Sequence, residues 1–203
     1  MKWKLLEKSL CLALVLTVLM SFTGFAAGCE DIPNRVLRLH VLANSDSAED
    51  QALKLKVRDR VLAESAAVLG SASSRAEAEE RAARALPRLR EAAADEVKRQ
   101  GYDYPVGVEL TNMYFTTRQY GDVTLPAGSY DALRVTVGSG RGHNWWCVIF
   151  PPMCLPAAEA PEELQDVLNR NEMEIVEGKS GYVLKFKTVE LYEQFTEWLR
   201  NRK

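Results

Sequence analysis

Residues 138–154 read GSGRGHNWWCVIFPPMC. Gly138, Gly140 and Gly142 fall within five residues, which is loop chemistry, because glycine alone enters positive φ without steric cost. Trp145, Trp146, Cys147, Val148, Ile149 and Phe150 follow as an unbroken apolar run, which predicts a strand covered on both faces. Pro151-Pro152 ends it, since neither proline can donate to a ladder. Working outward, Leu133, Val135 and Val137 alternate and predict a strand that feeds the glycine-rich loop. Tyr120-Gly121-Asp122 and Pro126-Ala127-Gly128 read as turns. Val106, Val108 and Leu110 share one face of a further strand, whereas Met113 and Phe115 are out of phase with them. That slip predicts a bulge near Thr111-Asn112. Towards the C-terminus the pattern predicts a short helix over 161–170 and strands over 174–176 and 182–188. A terminal helix over 189–200 follows, buried through Leu191, Phe195, Trp198 and Leu199.

The N-terminal half has a different rhythm. Residues 35–43 (RVLRLHVLA) read as the first strand. Asn44-Ser45-Asp46-Ser47 is a turn and cap cluster, and Ser47 followed three residues later by Asp50 is close to a capping box. A helix over 48–69 carries its apolar stripe on Leu53, Val57, Val61, Leu62 and Val68, with Asp50 and Lys54 as an i,i+4 ion pair. Residues 70–74 break it. Ser74 with Glu77 starts a second helix that ends at Gly101, and Pro87 is expected to kink it or split it in two. The charge run of this second helix reads as a solvated face. The sum is an α+β fold: an N-terminal strand and two helices, then a mainly antiparallel sheet and a C-terminal helix. No internal repeat is present.

The chain has 203 residues, 47% hydrophobic and 27% charged, the composition of a globular protein. Its first thirty residues are not domain-like. Lys2, Lys4 and Lys8 precede a nearly unbroken apolar stretch over 9–27, and Ala26-Ala27-Gly28 offers small residues for signal peptidase. Residues 1–28 are therefore read as a signal peptide or an N-terminal membrane anchor, and residues 29–203 as a single domain. Ala26-Ala27-Gly28-Cys29 is also a weak lipobox. Removing residues 1–28 takes away three lysines and Glu7, so the formal charge moves from −2 to −4. A mildly acidic chain lacks the basic face that releases phosphate counterions, which argues against nucleic acid as a partner. Cys147 and Cys154 remain inside the domain. In an exported protein they either bridge across Pro151-Pro152 or stay as two buried thiols.

Several chemistries are weighed against these residues. A Cys147 nucleophile with His143 as base would make a secreted hydrolase, but in a loop-to-strand segment the two need not converge, and an apolar strand keeps a thiol inert. His40, Asp46, Asp50 and His143 lack metal-ligand spacing, and the glycines of 138–142 lack a phosphate-loop context. No metal, cofactor or small-molecule substrate is expected. Asn44, Ser45 and Asp46 are explained by capping, or else belong to a presented surface. Adjacent residues on a strand face opposite ways, so one of Trp145 and Trp146 is expected in the core and the other exposed as an interface anchor. The loop 138–144 is expected to be a mobile rim beside them.

Two blocks carry a resemblance. The first is GxGxxxNWWCVxFPPxC over 138–154, preceded by Tyr120-Gly121-Asp122, Leu125-Pro126-Ala127-Gly128 and Ala132-Leu133-Arg134-Val135. The second is Arg38-Leu39-His40-Val41-Leu42-Ala43-Asn44-Ser45-Asp46-Ser47 with Asp50-Gln51 and KLKVRD over 54–59. Together they resemble the stage II sporulation protein R family of endospore formers. The resemblance implies a non-enzymatic signal for intercompartmental communication. It would be exported from the forespore to the intermembrane space, processed by signal peptidase or held through residues 9–27. There it would activate a membrane-embedded aspartic protease of the mother cell that processes an inactive sigma factor precursor. The candidate partner surface is His40, Asn44, Ser45, Asp46, Arg141, His143, Asn144, Trp145 and Trp146. A structural cell-envelope domain is the remaining alternative, besides the hydrolase.

Overall fold

The computed structural model describes residues 6, 8–14, 16–17, 29–120, 123–152 and 168–177. After a short 3-10 turn at Ile32–Asn34 come β1 (Leu37–Leu42), α1 (Ala48–Leu69) and α2 (Arg75–Arg99). They are followed by β2 (Val106–Phe115), β3 (Arg118–Tyr120), β4 (Val123–Leu125), β5 (Gly128–Val137), β6 (Asn144–Phe150) and α3 (Arg170–Val176). The main sheet has the order β2-β5-β1-β6, and β3-β4 is a separate antiparallel hairpin. β2 pairs antiparallel with β5 and β1 pairs antiparallel with β6, while β1 and β5 are parallel. The fold is α+β with a mainly antiparallel sheet, as expected.

The helices form where the sequence caps them. The Ser47 hydroxyl accepts from the Asp50 N–H at 3.2 Å and Ser74 accepts from the Glu77 N–H at 3.3 Å, each cap worth about 1 kcal/mol. α2 stops at Gly101, whose φ is +83°. The Gly101 N–H donates to the Lys98 carbonyl and the Tyr102 N–H to the Val97 carbonyl, the Schellman pattern. Pro87 does not split α2. Both Pro87 and Ala83, whose carbonyl loses its partner, are on the exposed side of the helix, and Leu89 anchors the next turn in the core. The buried face of α2 is mostly alanine, which lets it lie close to its neighbours and leaves its charges in solvent.

β1 is a central strand and is buried along its whole length. Leu39 and Val41 face α1 and α2, where Leu53, Val57, Val61, Leu133, Val135 and Cys147 complete one core. The opposite face carries a second core of Ile32, Val36, Phe115, Tyr130, Val148 and Met173, covered by the N-terminal turn, the β3-β4 hairpin and α3. This two-sided arrangement explains the phase slip in β2. No bulge occurs at Thr111-Asn112: the β2-β5 ladder runs without interruption from Val106 to Phe115. Instead, Val106, Val108 and Leu110 face the helices and Met113 and Phe115 face the second core. The irregularity in register lies at Leu37/Arg38, between β1 and β6.

Near the C-terminus, residues 174–176 are helical rather than extended, as part of α3. Asn169 and Glu172 form a full capping box, and Glu172 is buried beside Arg35 at 3.5 Å. The cap outweighs the β-branched pair Ile175-Val176. Leu168 and Asn169 precede this helix, so the helix expected over 161–170 does not extend through them. Residues 161–167, the strand expected over 182–188 and the helix over 189–200 lie outside the described residues.

Candidate functional site

The order β5-β1-β6 forces the chain to step over β1 between two strands that flank it. β5 and β1 end at the same edge of the sheet because they are parallel, so loop 138–143 arches across the exit of β1, where Ala43 and Asn44 emerge. Close approach is the requirement, and glycine meets it. A Cβ on Gly142 would lie 2.1 Å from the Ser45 carbonyl oxygen, and one on Gly138, at φ +60°, would lie 2.3 Å from Asn44 Oδ1.

The contact is hydrogen-bonded throughout. The Gly142 N–H donates to the Ala43 carbonyl at 2.9 Å, and the Arg141 N–H reaches the Asn44 carbonyl at 3.4 Å. Ser139 donates its N–H to Asn44 Oδ1 at 2.9 Å and its hydroxyl to the Asn44 carbonyl at 2.6 Å. The His143 N–H donates to Asp46 Oδ1 at 2.6 Å, and His143 Nδ1 lies 2.5 Å from the same oxygen. The loop is thus pinned, not the mobile rim its glycines suggest.

α1 braces the turn from below. Asp50 Oδ2 accepts from Asn44 Nδ2 at 2.9 Å and from the Ser45 hydroxyl at 2.5 Å. Hydrogen bonding, led by Ser45, holds the Asp50 carboxyl below the usual range despite burial. Lys54, buried, donates to Gln51 Oε1 at 2.6 Å and to the His143 carbonyl at 2.9 Å. The expected Asp50-Lys54 ion pair does not form, because each side chain is committed to the loop contact instead. The Asp46 carboxyl is likewise lowered, first by the His143 N–H and then by its ring.

On the sheet, His40 pairs across from Trp146, Val41 from Trp145 and Leu42 from Asn144. The tryptophans face opposite ways, but neither is fully buried nor fully exposed. Trp145 lies on the helix side with the Arg58 guanidinium 4.1 Å from its ring centre. Trp146 stacks on His40 at 3.9 Å and 6° and meets the edge of Phe115 at 4.8 Å. His40 is 3% exposed; Trp146 stacks on its ring, and the Asn144 side chain lies close enough to act on it as a hydrogen-bond partner. Burial first, then the Arg134 charge, push its pKa down to about 4, so the ring is neutral. Beside it Arg38 is fully buried, its guanidinium 3.9 Å from the Phe115 ring centre and 4.8 Å from that of Tyr130, with a hydrogen bond to the Tyr120 hydroxyl.

Of the nine residues of the expected surface, Asp46, Arg141, His143, Asn144 and Trp146 line one face at this end of the sheet, with Asn44 and Ser45 in the adjoining turn; His40 is buried behind Trp146 and Trp145 lies on the opposite, helix-facing side. A Cys147-His143 catalytic pair is not assembled there. His143 is exposed with Nδ1 on Asp46, whereas Cys147 is 2% exposed in the helix-side core. The Cys147 sulfur is disulfide-bonded and offers no thiolate. Cys154, the partner its spacing suggests, lies outside the described residues. Among the described residues no group of three or more His, Cys, Asp or Glu side chains could hold a metal.

The sequence profile of the stage II sporulation protein R family matches residues 33–160, which span β1 to β6 and the whole of the loop contact. This chain belongs to the stage II sporulation protein R family. It is similar to the stage II sporulation protein R of Bacillus subtilis (strain 168), 38% identical over 138 residues, covering 66% of this chain and 62% of that relative. The alignment thus spans less than two thirds of the relative's length. No solved structure matches. A role in sporulation follows from membership of the family.

Sequence reading missed Arg118, which reaches the same end of the sheet from the β3-β4 hairpin. It also missed the bracing role of Asp50, Gln51 and Lys54. These three were legible as part of a patterned block, but the pattern does not say that Asp50 and Gln51 brace the turn at Asn44-Ser45 while Lys54 reaches a loop some ninety residues away.

Proposed function

We propose that this chain is an exported sporulation signal that activates, by protein–protein contact, a membrane-embedded aspartic protease of the mother cell, which then processes an inactive sigma factor precursor. Membership of the stage II sporulation protein R family supports the setting. The observation that carries the reading is the docking of the turn 44–46 against the loop 138–143. Two stretches far apart in the chain spend their polar groups on each other, and the product is a shaped surface rather than a nucleophile, base and oxyanion hole. The protein acts as a ligand, not an enzyme. It works by binding the protease's active state more tightly than its inactive state, the condition for shifting such an equilibrium. Residues 1–28 deliver it across the forespore membrane and are either removed by signal peptidase or kept as an anchor.

Co-expression of the chain with the protease and the sigma precursor tests this. Arg141→Glu and Asn144→Ala should lower precursor processing while shifting the thermal midpoint little, because both side chains are exposed. Substitutions at Glu79 or Arg90 on α2 should change neither, since solvated surface substitutions stay within about 0.5 kcal/mol. Normal processing by the loop variants with failure of the α2 variants would place the contact elsewhere.

A further inference from the structure

Between the loop and the β3-β4 hairpin lies an open cup of about 450 Å³. Arg118 and Arg141 line it together with His143, Asn144 and Trp146. Most arginines of the described surface have a carboxylate within ion-pair distance. The two that share this cup have none among the described residues, and both are exposed. The one carboxylate at the rim, Asp46, is already engaged by His143. Trp146 forms a wall, half-buried and backed by His40, with the Arg118 guanidinium 5.9 Å from its ring centre. Behind this wall stand Arg134 and Arg38, close enough to act on His40 electrostatically.

We propose that this cup is a carboxylate-binding site that takes an acidic segment of a partner protein, Arg118 and Arg141 gripping its carboxylates and Trp146 covering its apolar stem. A guanidinium presents a planar fork that matches a carboxylate with two parallel hydrogen bonds. The tryptophan face supplies a flat apolar contact next to that fork. An anionic membrane fits less well. Binding lipid headgroups takes a cluster of roughly four to eight basic residues, whereas this cup has two arginines on a chain of formal charge −2. The site deepens the protein–protein reading above and rests on it for the partner being a protein.

The test uses the full chain in non-ionic detergent. Three probes are titrated: a short fluorescent peptide rich in glutamate, its glutamine counterpart, and vesicles containing phosphatidylglycerol. The glutamate peptide should bind and shift the Trp146 indole and 141–144 amide signals, and the glutamine peptide should not. The double variant Arg118→Gln/Arg141→Gln should weaken binding about tenfold or more, each single variant should weaken it partially, and Arg84→Gln on α2 should have no effect. Equal binding of the two peptides, or undiminished binding by the double variant, overturns the site. Vesicle binding that depends on both arginines, without peptide binding, overturns the protein segment in favour of a lipid headgroup. Running the same double variant in the processing assay separates the two readings. Lost peptide binding with full processing keeps the carboxylate site and removes it from protease activation.

Discussion

His40 and Arg38 lie two residues apart on a central strand, and each puts an ionisable group under the second core. Of the two, only His40 changes charge as the pH falls, so it makes β1 sensitive to acid. The His40 pKa falls from its ordinary 6.5 to about 4, because the ring is desolvated and because Arg134 and Arg38 repel a second charge. The unfolded chain takes up the proton below pH 6.5, but the folded chain resists until about pH 4. The stabilisation is therefore complete above pH 6.5, is lost progressively as the pH falls, and is gone below about pH 4. Its ceiling is about 3 kcal/mol. Urea midpoints measured from pH 7 to pH 4 should fall in the wild type and stay nearly level in His40→Phe, which keeps a ring against Trp146. Equal slopes would show that the protonated imidazolium is tolerated. Below about pH 4 both proteins should lose stability, because Glu77 is then protonated in the unfolded chain while the folded chain, chiefly through the Ser73 N–H, holds its carboxyl down to about 2.

At the scale of elements, the loop 138–143 and the turn 43–47 form one unit. Gly138 and Gly140 take positive φ, and Gly142 is required by contact alone. Gly142→Ala places a methyl against a backbone oxygen that cannot swing aside, so the loop must lift from β1 and its hydrogen bonds to Ala43 and Asn44 must break. The expected cost is about 1–3 kcal/mol, with amide shifts running through 43–46 and 139–143. Gly101→Ala meets nothing within 4 Å and should cost about 1–2 kcal/mol through its positive φ alone, with shifts confined to the end of α2. Shifts confined to residues next to Gly142 would mean that the loop and the turn are independent. Local signals made the helices legible: Ser47 and Ser74 fix both starts, Gly101 fixes an end, and the spacing of Leu53, Val57 and Val61 fixes a face. Layering was not legible. The slip between Leu110 and Met113 looks like a bulge until the second face of the sheet is known to be covered. At Glu174 to Val176 a β-branched pair hid the capping signal of Asn169 and Glu172.

At the scale of the whole molecule, a sheet with two covered faces follows an apolar N-terminal segment whose described residues join neither core. Leu10, Leu12 and Leu14 are each more than half exposed, in a segment where residues 8–14 are helical, and none of its described leucines belongs to either core. Among the described residues no helix is long and apolar enough to cross a membrane, and residues 18–28 of the apolar stretch lie outside them. The site shows the same split between what sequence reveals and what it hides. Its two blocks were legible as blocks, but Arg118 was not, because only the closing of the hairpin over the second core brings it near Arg141. An exposed run of leucines is costly in water unless a membrane receives it, at about 25 cal/mol for each Å² of apolar surface. In the proposed export, Lys2, Lys4 and Lys8 would hold its first end on the cytoplasmic side. Residues 1–30 fused to a reporter active only outside the cytoplasm should therefore give activity, and replacing Leu12 and Leu14 by glutamate should abolish it. A chain of residues 29–203 should keep the thermal midpoint of the longer chain, because none of the described leucines of residues 1–28 is packed into the cores. A reporter that stays silent with the intact leader would remove export, and with it any contact between this protein and a protease in another compartment.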